Sequence, residues 1–535
     1  MAKKSKQGNL VSLVQKHYPA GTVLDLGAGV LNDETLAEAR IRIPLKTLNR
    51  HGLIAGATGT GKTKSLQVIA EGLSSAGVPV LLMDLKGDLS GLGAPGKSNK
   101  AIEERHASID IPFEPGAFPV EFLSLTGKQG APLRATITEF GPILLSRILN
   151  LNDTQSGILS VIFKFCDDQG LLLLDLKDLK KTIQFVKDEG SAELEHDYGK
   201  LSSASLGTIL RKVIALEEQG ADKFFGEPSF EIDDLLVTDD DGRGRISIVN
   251  LTDIQDRPHL FSTFMLGLLS EIYEELEEQG DADRPRLTVF IDEAHLLFKK
   301  ATPALIEKIE AVVKLIRSKG VGLFFCTQNP DDLPPAVLSQ LGLKVQHALR
   351  AFTARDRKAI KKSAENFPVS DFYEIDELLT SLGIGEALIT GLDAKGRPTP
   401  VVHTMLRAPA SRMGPLKAAE RKAVLENSEL VEHYKQSVDR KSAYEMLGEK
   451  IESIAEAQEE AAAKKKKKKK KSSRRRSAKE DESTFSKIMG HTLTKQIGRT
   501  VAREVTRGVL GAFGLRTTRR RRTRKRRRRK SSGWF

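Results

Sequence analysis

The chain is poor in the features that mark secreted and membrane-spanning proteins. Only two cysteines occur among its 535 residues, Cys166 and Cys326, so the sequence supports no disulfide framework and indicates a reducing, cytoplasmic location. No stretch approaches eighteen uninterrupted apolar residues, which argues against a membrane-spanning helix. The N-terminus carries charge without an apolar segment behind it, so we expect no secretory signal. The histidines and cysteines also lack the spacing of a metal site.

Basic residues are concentrated at the C-terminal end of the chain. The formal net charge is +13, but residues 464–535 hold 29 Lys and Arg against four Asp and Glu, whereas the other residues hold 55 basic and 67 acidic side chains. The tail opens with eight consecutive lysines at 464–471. Because such a run repels itself and cannot bury a core, we expect it to be disordered. Affinity for nucleic acid or for an anionic surface should therefore lie mainly in this tail.

One segment of the tail has a helical pattern. Apolar residues recur at every fourth position from Phe485 to Val509, which places them along one helix face and predicts an amphipathic segment over 485–510. Flanked by basic blocks, this segment could make a peripheral contact with an anionic membrane. It could also pack against another subunit, and we favour this second interpretation.

The distribution of strand and helix patterns predicts four regions. Residues 1–48 are interpreted as a short lead-in, too small for a domain of its own. Residues 49–410 alternate strands and helices, which indicates an α/β fold with a parallel-rich central sheet covered on both faces. Within them, helical spacing of Leu and Ile over about 130–220 predicts a helical insertion. Residues 411–463 are typical of an exposed helical extension, and the low-complexity tail follows.

The motif with the most specific chemistry begins at Gly56. Residues 56–63 match the pattern G-x-x-x-x-G-K-T between an apolar strand and a helix. Glycines at this spacing let backbone N–H groups wrap a phosphate chain, and the N-terminus of the following helix adds its dipole. Lys62 would reach the terminal phosphates, and the Thr63 hydroxyl would ligate Mg²⁺. The motif predicts ATP and Mg²⁺ as cofactors, with a nucleotide-binding loop made of Gly56, Ala57, Thr58, Gly59, Thr60, Gly61, Lys62 and Thr63.

Acidic residues follow two of the predicted strands. The apolar strand at 287–291 ends in Asp292 and Glu293, which places both acids at the edge of the sheet beside the phosphate loop. Asp292 would hold Mg²⁺ through water, and Glu293 would accept a proton from the attacking water. Asp84 and Asp88 follow the strand after the phosphate-loop helix. They could contact Mg²⁺-bound water or the nucleophile, or they could cap a loop.

Three further polar residues are candidates for the hydrolytic site. Gln328 ends another apolar strand, where it could sense the γ-phosphate and align water, or simply cap the strand. Arg317 ends the helix before that strand, and Arg350 follows the next strand. Either arginine could be delivered to the γ-phosphate of a neighbouring subunit. The alternative for each is a favourable charge near a helix C-terminus or a surface ion pair.

Taken together, three segments resemble the HerA–FtsK family of DNA-pumping ATPases, in particular its bacterial HerA-like proteins. They are Gly56–Thr63, Ile291–His295 and Arg317–Pro330, and the likeness covers roughly residues 40–410. The resemblance implies a RecA-like P-loop core and a homo-oligomeric ring, usually of six subunits. It also implies ATP at each subunit interface, an arginine supplied by the neighbour, Glu293 as the water-activating acid and Gln328 as the sensor.

The chain departs from HerA itself at its N-terminus. HerA has an N-terminal β-barrel that docks a nuclease, and residues 1–48 are too short for one, which argues against a resection role and against that nuclease partner. The leading hypothesis is an ATP-hydrolysing ring motor that translocates or remodels duplex DNA. One alternative is an ATPase directed at membranes or proteins, as in secretion coupling. The other is a nucleotide-gated architectural protein that binds DNA through its tail.

Overall fold

The structure is a computed structural model that describes residues 2–254, 257–280, 282–299, 303–351 and 353–476. The chain divides into two units, Met1–Glu452 and Ser453–Phe535. The predicted amphipathic segment 485–510 lies outside the described residues, as does most of the basic tail.

A single sheet organises the first unit. Its twelve described strands are β1 (Val23–Leu31), β2 (Glu34–Pro44), β3 (Gly52–Ala55), β4 (Val80–Asp84), β5 (Val120–Ser124), β6 (Ala131–Pro132), β7 (Ile246–Asn250), β8 (Leu287–Ile291), β9 (Val321–Thr327), β10 (Leu343–Gln346), β11 (Glu386–Thr390) and β12 (Val402–Leu406). Their spatial order is β2-β1-β12-β11-β10-β3-β9-β8-β4-β7-β5-β6.

Helices occupy the connections and the C-terminal part of the described chain. They are α1 (Ala2–His17), α2 (Lys62–Ser75), α3 (Lys100–Ile109), α4 (Ile137–Ile148), α5 (Asp153–Asp168), α6 (Leu176–Lys187), α7 (Ser191–Tyr198), α8 (Ser203–Glu217), α9 (Pro258–Glu275), α10 (His295–Lys299), α11 (Pro303–Leu315), α12 (Pro335–Leu338), α13 (Ala354–Ala364), α14 (Ile375–Ser381), α15 (Ala418–Glu426), α16 (Glu429–Lys435) and α17 (Ala443–Arg476). Among the helices of the described ranges, none joins the length to the apolar character that crossing a bilayer would need.

The larger part of the sheet is parallel. From β10 to β6 in the spatial order, each strand pairs in parallel with the next. Every residue of β3, β4, β7, β8 and β9 is buried, as expected for parallel strands covered on both faces. Ala55 lies opposite Thr327, and Ile291 lies opposite Phe325, so β3, β9 and β8 end at one edge. The expected α/β fold with a parallel-rich central sheet is confirmed.

Residues 1–48 differ from the expected lead-in because they are part of this sheet. β1 and β2 form an antiparallel hairpin, and β1 pairs with β12 near the other end of the unit. α1 packs against β2. Buried Tyr18 fixes this region, since its hydroxyl donates to the Pro400 carbonyl at 2.6 Å and accepts from Thr399 Oγ1 at 2.7 Å. The N-terminal residues therefore extend the parallel sheet with an antiparallel edge.

The region expected to be a helical insertion contains α4 to α8. Local sequence explains where two of these helices begin. Thr136 and Glu139 form a capping box at α4, and Asp175 and Asp178 form one at α6; each satisfies N–H groups that the first helical turn leaves free. Within α4, Gly141 has a φ of 65° beside Pro142, which interrupts the helix.

The helical extension after β12 contains α15 to α17. In α16 the buried Tyr434 donates its hydroxyl to Asp234 Oδ2 at 2.6 Å. α17 runs on to Arg476, so the lysine run at the start of the tail is helical. Lysine is a good helix former and an exposed helix needs no core. The first lysine of the run, Lys464, pairs with Glu460 of the preceding turn at 2.9 Å.

Candidate functional site

The phosphate loop connects β3 to α2 at the carboxyl edge of the sheet. The N–H of Gly56 donates to the Thr327 carbonyl at 3.3 Å, and the N–H of Ala57 donates to the Ala348 carbonyl at 2.8 Å. These two bonds tie the loop to the ends of both neighbouring strands, β9 and β10. Gly61 has a φ of 114°, a left-handed conformation that turns the chain directly into α2. The loop and the N-terminus of α2 are therefore held in fixed positions relative to the sheet.

Lys62 is buried and folds back over the loop. Its Nζ donates to the carbonyls of Gly56 and Ala57 at 2.7 and 3.1 Å. Burial lowers the pKa of Lys62, and the charges of Glu293 and Asp292 act in the opposite direction. Lys62 therefore lies within electrostatic reach of both acids that the sequence placed beside the phosphate loop.

Asp292 and Glu293 follow β8 at the same edge, with β9 between them and the phosphate-loop strand. Both side chains are buried, and within the described ranges Asp292 Oδ2 and Glu293 Oε2 have no hydrogen-bond partner. Burial raises the pKa of Asp292 to about 6, against the opposing charge of Lys86. Glu293 has a φ of 48°, a left-handed backbone conformation that is uncommon for residues other than glycine and concentrates at functional sites.

Lys86 belongs to the site, although our reasoning from the sequence did not single it out. Its Nζ forms an ion pair with Glu293 Oε1. Lys86 lies in the turn after β4, where the buried Asp84 carboxylate accepts the N–H groups of Gly87 at 2.7 Å and Leu89 at 3.1 Å. Asp84 thus caps this turn, the second of the two roles considered for it. The available signal was a lysine two residues after a strand that ends at the phosphate-loop edge.

The other acid after β4, Asp88, lies in the same turn. It stands directly before the short 3₁₀ helix Leu89–Gly93, and its Oδ1 is buried without a hydrogen-bond partner in the part of the chain that the structure describes. Its charge acts on both Lys64 and Lys86. Asp88 therefore contributes to the field around the phosphate-loop helix.

The structure separates the three polar candidates that sequence reasoning proposed. Gln328 is exposed directly after β9, between the phosphate-loop strand and the strand of Glu293. Arg350 is exposed after β10, two residues beyond the carbonyl that binds Ala57, so it lies at the phosphate-loop edge of its own chain. Arg317 lies near the amino end of β9, at the opposite edge.

The position of Arg317 limits what it can reach. β9 contains seven residues, which span roughly 20 Å at the rise of an extended strand. Burial lowers the pKa of His51 to about 4, and the charge of Arg317 acts in the same direction. His51 directly precedes β3. An exposed arginine at this edge is too far from its own phosphate loop to contact a nucleotide there, but it is accessible to a second copy of the chain.

The residues at the site fit Mg²⁺ bound together with a nucleotide. The Thr63 hydroxyl at the start of α2 and the unpartnered Asp292 Oδ2 are oxygen ligands of the kind that Mg²⁺ prefers. Among the described residues, no group of three or more His, Cys, Asp or Glu is placed to hold a metal ion by itself. Mg²⁺ commonly binds through one or two protein oxygens plus substrate phosphates, so one threonine and one aspartate are a sufficient protein contribution.

Comparison with known proteins assigns the chain to a family. The family described as Helicase HerA-like C-terminal matches residues 30–521. The chain belongs to this family. The DNA double-strand break repair helicase HerA of Sulfolobus acidocaldarius is 22% identical over 376 residues, which cover 66% of this chain and 65% of the relative. The HerA of Saccharolobus solfataricus is 23% identical over 358 residues, covering 66% and 63%. The chain therefore spans slightly less than two thirds of the length of these relatives.

A third relative and two solved structures add to the comparison. A probable helicase of Methanocaldococcus jannaschii is 31% identical over 157 residues, 28% of each chain. The bacterial conjugative coupling protein TrwB has a TM-score of 0.49 and 14% identity, covering 77% of this chain and 94% of its own. VirB4 of Thermoanaerobacter pseudethanolicus has a TM-score of 0.45 and 17% identity, covering 76% and 99%. The resemblance of the sequence to HerA-like proteins is confirmed by the family match.

Proposed function

We propose that the protein binds ATP with Mg²⁺ and hydrolyses it. The observation that supports this most directly is the pair of buried carboxylates, Asp292 and Glu293, within electrostatic reach of the phosphate-loop lysine. Two unpartnered carboxylate oxygens in a buried position are costly unless they serve a ligand. At the carboxyl edge of a parallel sheet, next to a phosphate loop, the ligands that suit them are a cation and a water.

Each residue of the candidate site would have a defined part in the proposed reaction. The N–H groups of residues 56–63 and the Nζ of Lys62 would bind the phosphates, with Lys62 exchanging its two loop carbonyls for phosphate oxygens. Thr63 and Asp292 would hold Mg²⁺, which when bound supplies charge that stabilises the leaving phosphate. Glu293 would accept the proton of the attacking water, and Gln328 would orient that water.

We further propose that the protein acts as a homo-oligomeric ring, of six subunits by family resemblance, and that Arg317 acts on the nucleotide of the neighbouring subunit. The support is geometric, because Arg317 is exposed at the sheet edge opposite to its own phosphate loop. An arginine supplied in trans typically contributes on the order of 10³–10⁵ in rate. The two free, buried cysteines are consistent with function in the cytoplasm.

Duplex DNA is the polymer that we propose the ring translocates or remodels. The two HerA relatives, whose matches cover 66% of this chain, are named as DNA double-strand break repair helicases. The tail 464–535 carries a large excess of Lys and Arg, which would neutralise DNA phosphates and make binding fall with salt.

The test is ATP turnover of the full-length protein with and without duplex DNA at several salt concentrations. We expect DNA to stimulate turnover and added salt to reduce the stimulation. Lys62→Ala should abolish turnover, and Glu293→Gln should lower it by about 10²–10⁴ while nucleotide binding persists, because the substitution removes only the proton acceptor. Turnover that survives Lys62→Ala would refute the site. Stimulation by anionic liposomes and not by DNA would refute the choice of polymer.

A further inference from the structure

The ion pair between Lys86 and Glu293 gives Lys86 a role at the site. We propose that Lys86 is a positioning residue that latches the Glu293 carboxylate and so restrains hydrolysis until the latch is opened. The pair joins Lys86 Nζ to Glu293 Oε1, with the lysine side chain 43% exposed and the glutamate side chain 9% exposed. The acid that would accept a proton from water is thus held by a cation that can still reach solvent.

The sheet register explains why these two residues meet. β4 and β8 are parallel neighbours, with Met83 opposite Ile291. The chain therefore leaves both strands at the same edge, and Lys86 and Glu293 follow within three residues of that pair. The capped turn holds Lys86 in place, since Asp84 accepts two backbone N–H groups within it. The left-handed backbone conformation of Glu293, with a φ of 48°, sets the direction of its side chain.

The contacts of Glu293 show what the latch does. His295 Nδ1 lies 3.3 Å from Glu293 Oε2, yet neither atom forms a hydrogen bond within the described ranges. Lys86 therefore provides the direct charged contact of the carboxylate at Oε1. Because Lys86 engages Glu293 Oε1, that oxygen is not available to a water. Separating Lys86 from Glu293 would free it.

The exposure of Lys86 indicates how the latch opens. Its ammonium group lies at the rim of the site, where an anion arriving from solvent can compete for it. A phosphate of the bound polymer is an anion of this kind, and this step rests on the proposed DNA-directed function. The restraint itself rests on the proposed ATP hydrolysis with Glu293 as proton acceptor, but not on the choice of polymer, because it concerns turnover in the absence of any polymer.

The experiment compares Lys86→Met with Lys86→Arg and with Lys100→Met in the full-length protein. Lys100 is the matched control, a lysine that is 89% exposed and pairs with Glu104 within one helix. Without DNA, we expect Lys86→Met to raise the maximal turnover about fivefold, the effect of losing one partly exposed ion pair. The KM for ATP and the affinity for a fluorescent ATP analogue, measured without Mg²⁺, should stay within about twofold of wild type. Lys86→Arg should keep the wild-type basal turnover, and Lys100→Met should leave the basal turnover unchanged.

Each other outcome contradicts the latch. Lower turnover in Lys86→Met would mean that Lys86 assists the reaction, and a large rise in KM or loss of analogue binding would mean that it binds the nucleotide. If Lys86→Met does not fold, Asp84→Asn keeps the lysine but loosens its turn, and unchanged basal turnover in that variant would also overturn the proposal. Wild-type protein that DNA fails to stimulate would refute the proposed function but leave the comparison of basal rates intact.

Discussion

Replacing Gly56 with alanine tests how closely the phosphate loop is packed. Gly56 has a φ of 151°, and an added Cβ would lie 2.5 Å from the Cβ of His347 and 3.0 Å from Thr60 Oγ1. His347 is buried and bonded through Nε2 to Ser65 Oγ at 2.8 Å, so it cannot withdraw easily. A strained backbone costs about 1–3 kcal/mol, and overpacking adds about 1–3 kcal/mol. We expect Gly56→Ala to reduce the free energy of unfolding by about 2–6 kcal/mol.

The control lies in the same loop. Gly59 also has a positive φ, 80°, but no heavy atom lies within 4 Å of an added Cβ. Gly59→Ala should therefore cost only the left-handed conformation, about 1–2 kcal/mol. The measurement is urea unfolding followed by circular dichroism, with affinity for a fluorescent ATP analogue recorded in parallel. Equal losses of stability in the two variants would refute the reasoning, because the contact with His347 would then have no energetic consequence.

Two further predictions concern other parts of the molecule. Burial raises the pKa of Glu271 to about 8, and the charges of Glu139, Glu275 and Glu274 act in the same direction. A carboxyl group whose pKa is raised on folding stabilises the folded state below its unfolded-state pKa, and this stabilisation is lost as pH rises through the folded-state pKa. Glu271→Gln, which cannot ionise, should therefore show a melting temperature advantage over wild type that grows as pH rises from about 4.5 to about 8 and levels off above that, and a constant difference across this range would contradict the assignment. Arg317→Ala and Glu293→Gln should each be nearly inactive alone, yet regain turnover when mixed, because a mixed ring contains interfaces that hold both intact residues; no recovery on mixing would argue against action in trans.

Local patterns predicted the phosphate loop and the acidic strand end because the chemistry at those places is set by consecutive residues. The glycine spacing of residues 56–63 dictates the backbone path, and an apolar strand followed by Asp292 and Glu293 dictates an edge. The parallel-rich sheet followed from the same alternation and is confirmed. The roles of individual site residues stay predictions until the substitutions above are measured.

The features that sequence reasoning missed depend on pairing between distant segments. β2 carries an alternating signal, since Ala39, Ile41 and Ile43 are buried and the residues between them are not. Its place in the sheet, however, depends on β1 pairing with β12. Lys86 gave a weaker signal, because its contact with Glu293 depends on the register of β4 against β8. Neither pairing can be read from one segment alone.

In the proposed ring, the two edges of the sheet would divide the work of hydrolysis between chains. At one edge, each chain assembles the phosphate loop, Asp292, Glu293 and the restraining Lys86. At the other edge it presents Arg317, which the length of β9 keeps away from its own loop. If both edges act in hydrolysis, a chain by itself has a complete binding site but an incomplete hydrolytic one. Turnover should then depend on association, and a ring could link the release of Glu293 in one subunit to the approach of Arg317 from the next.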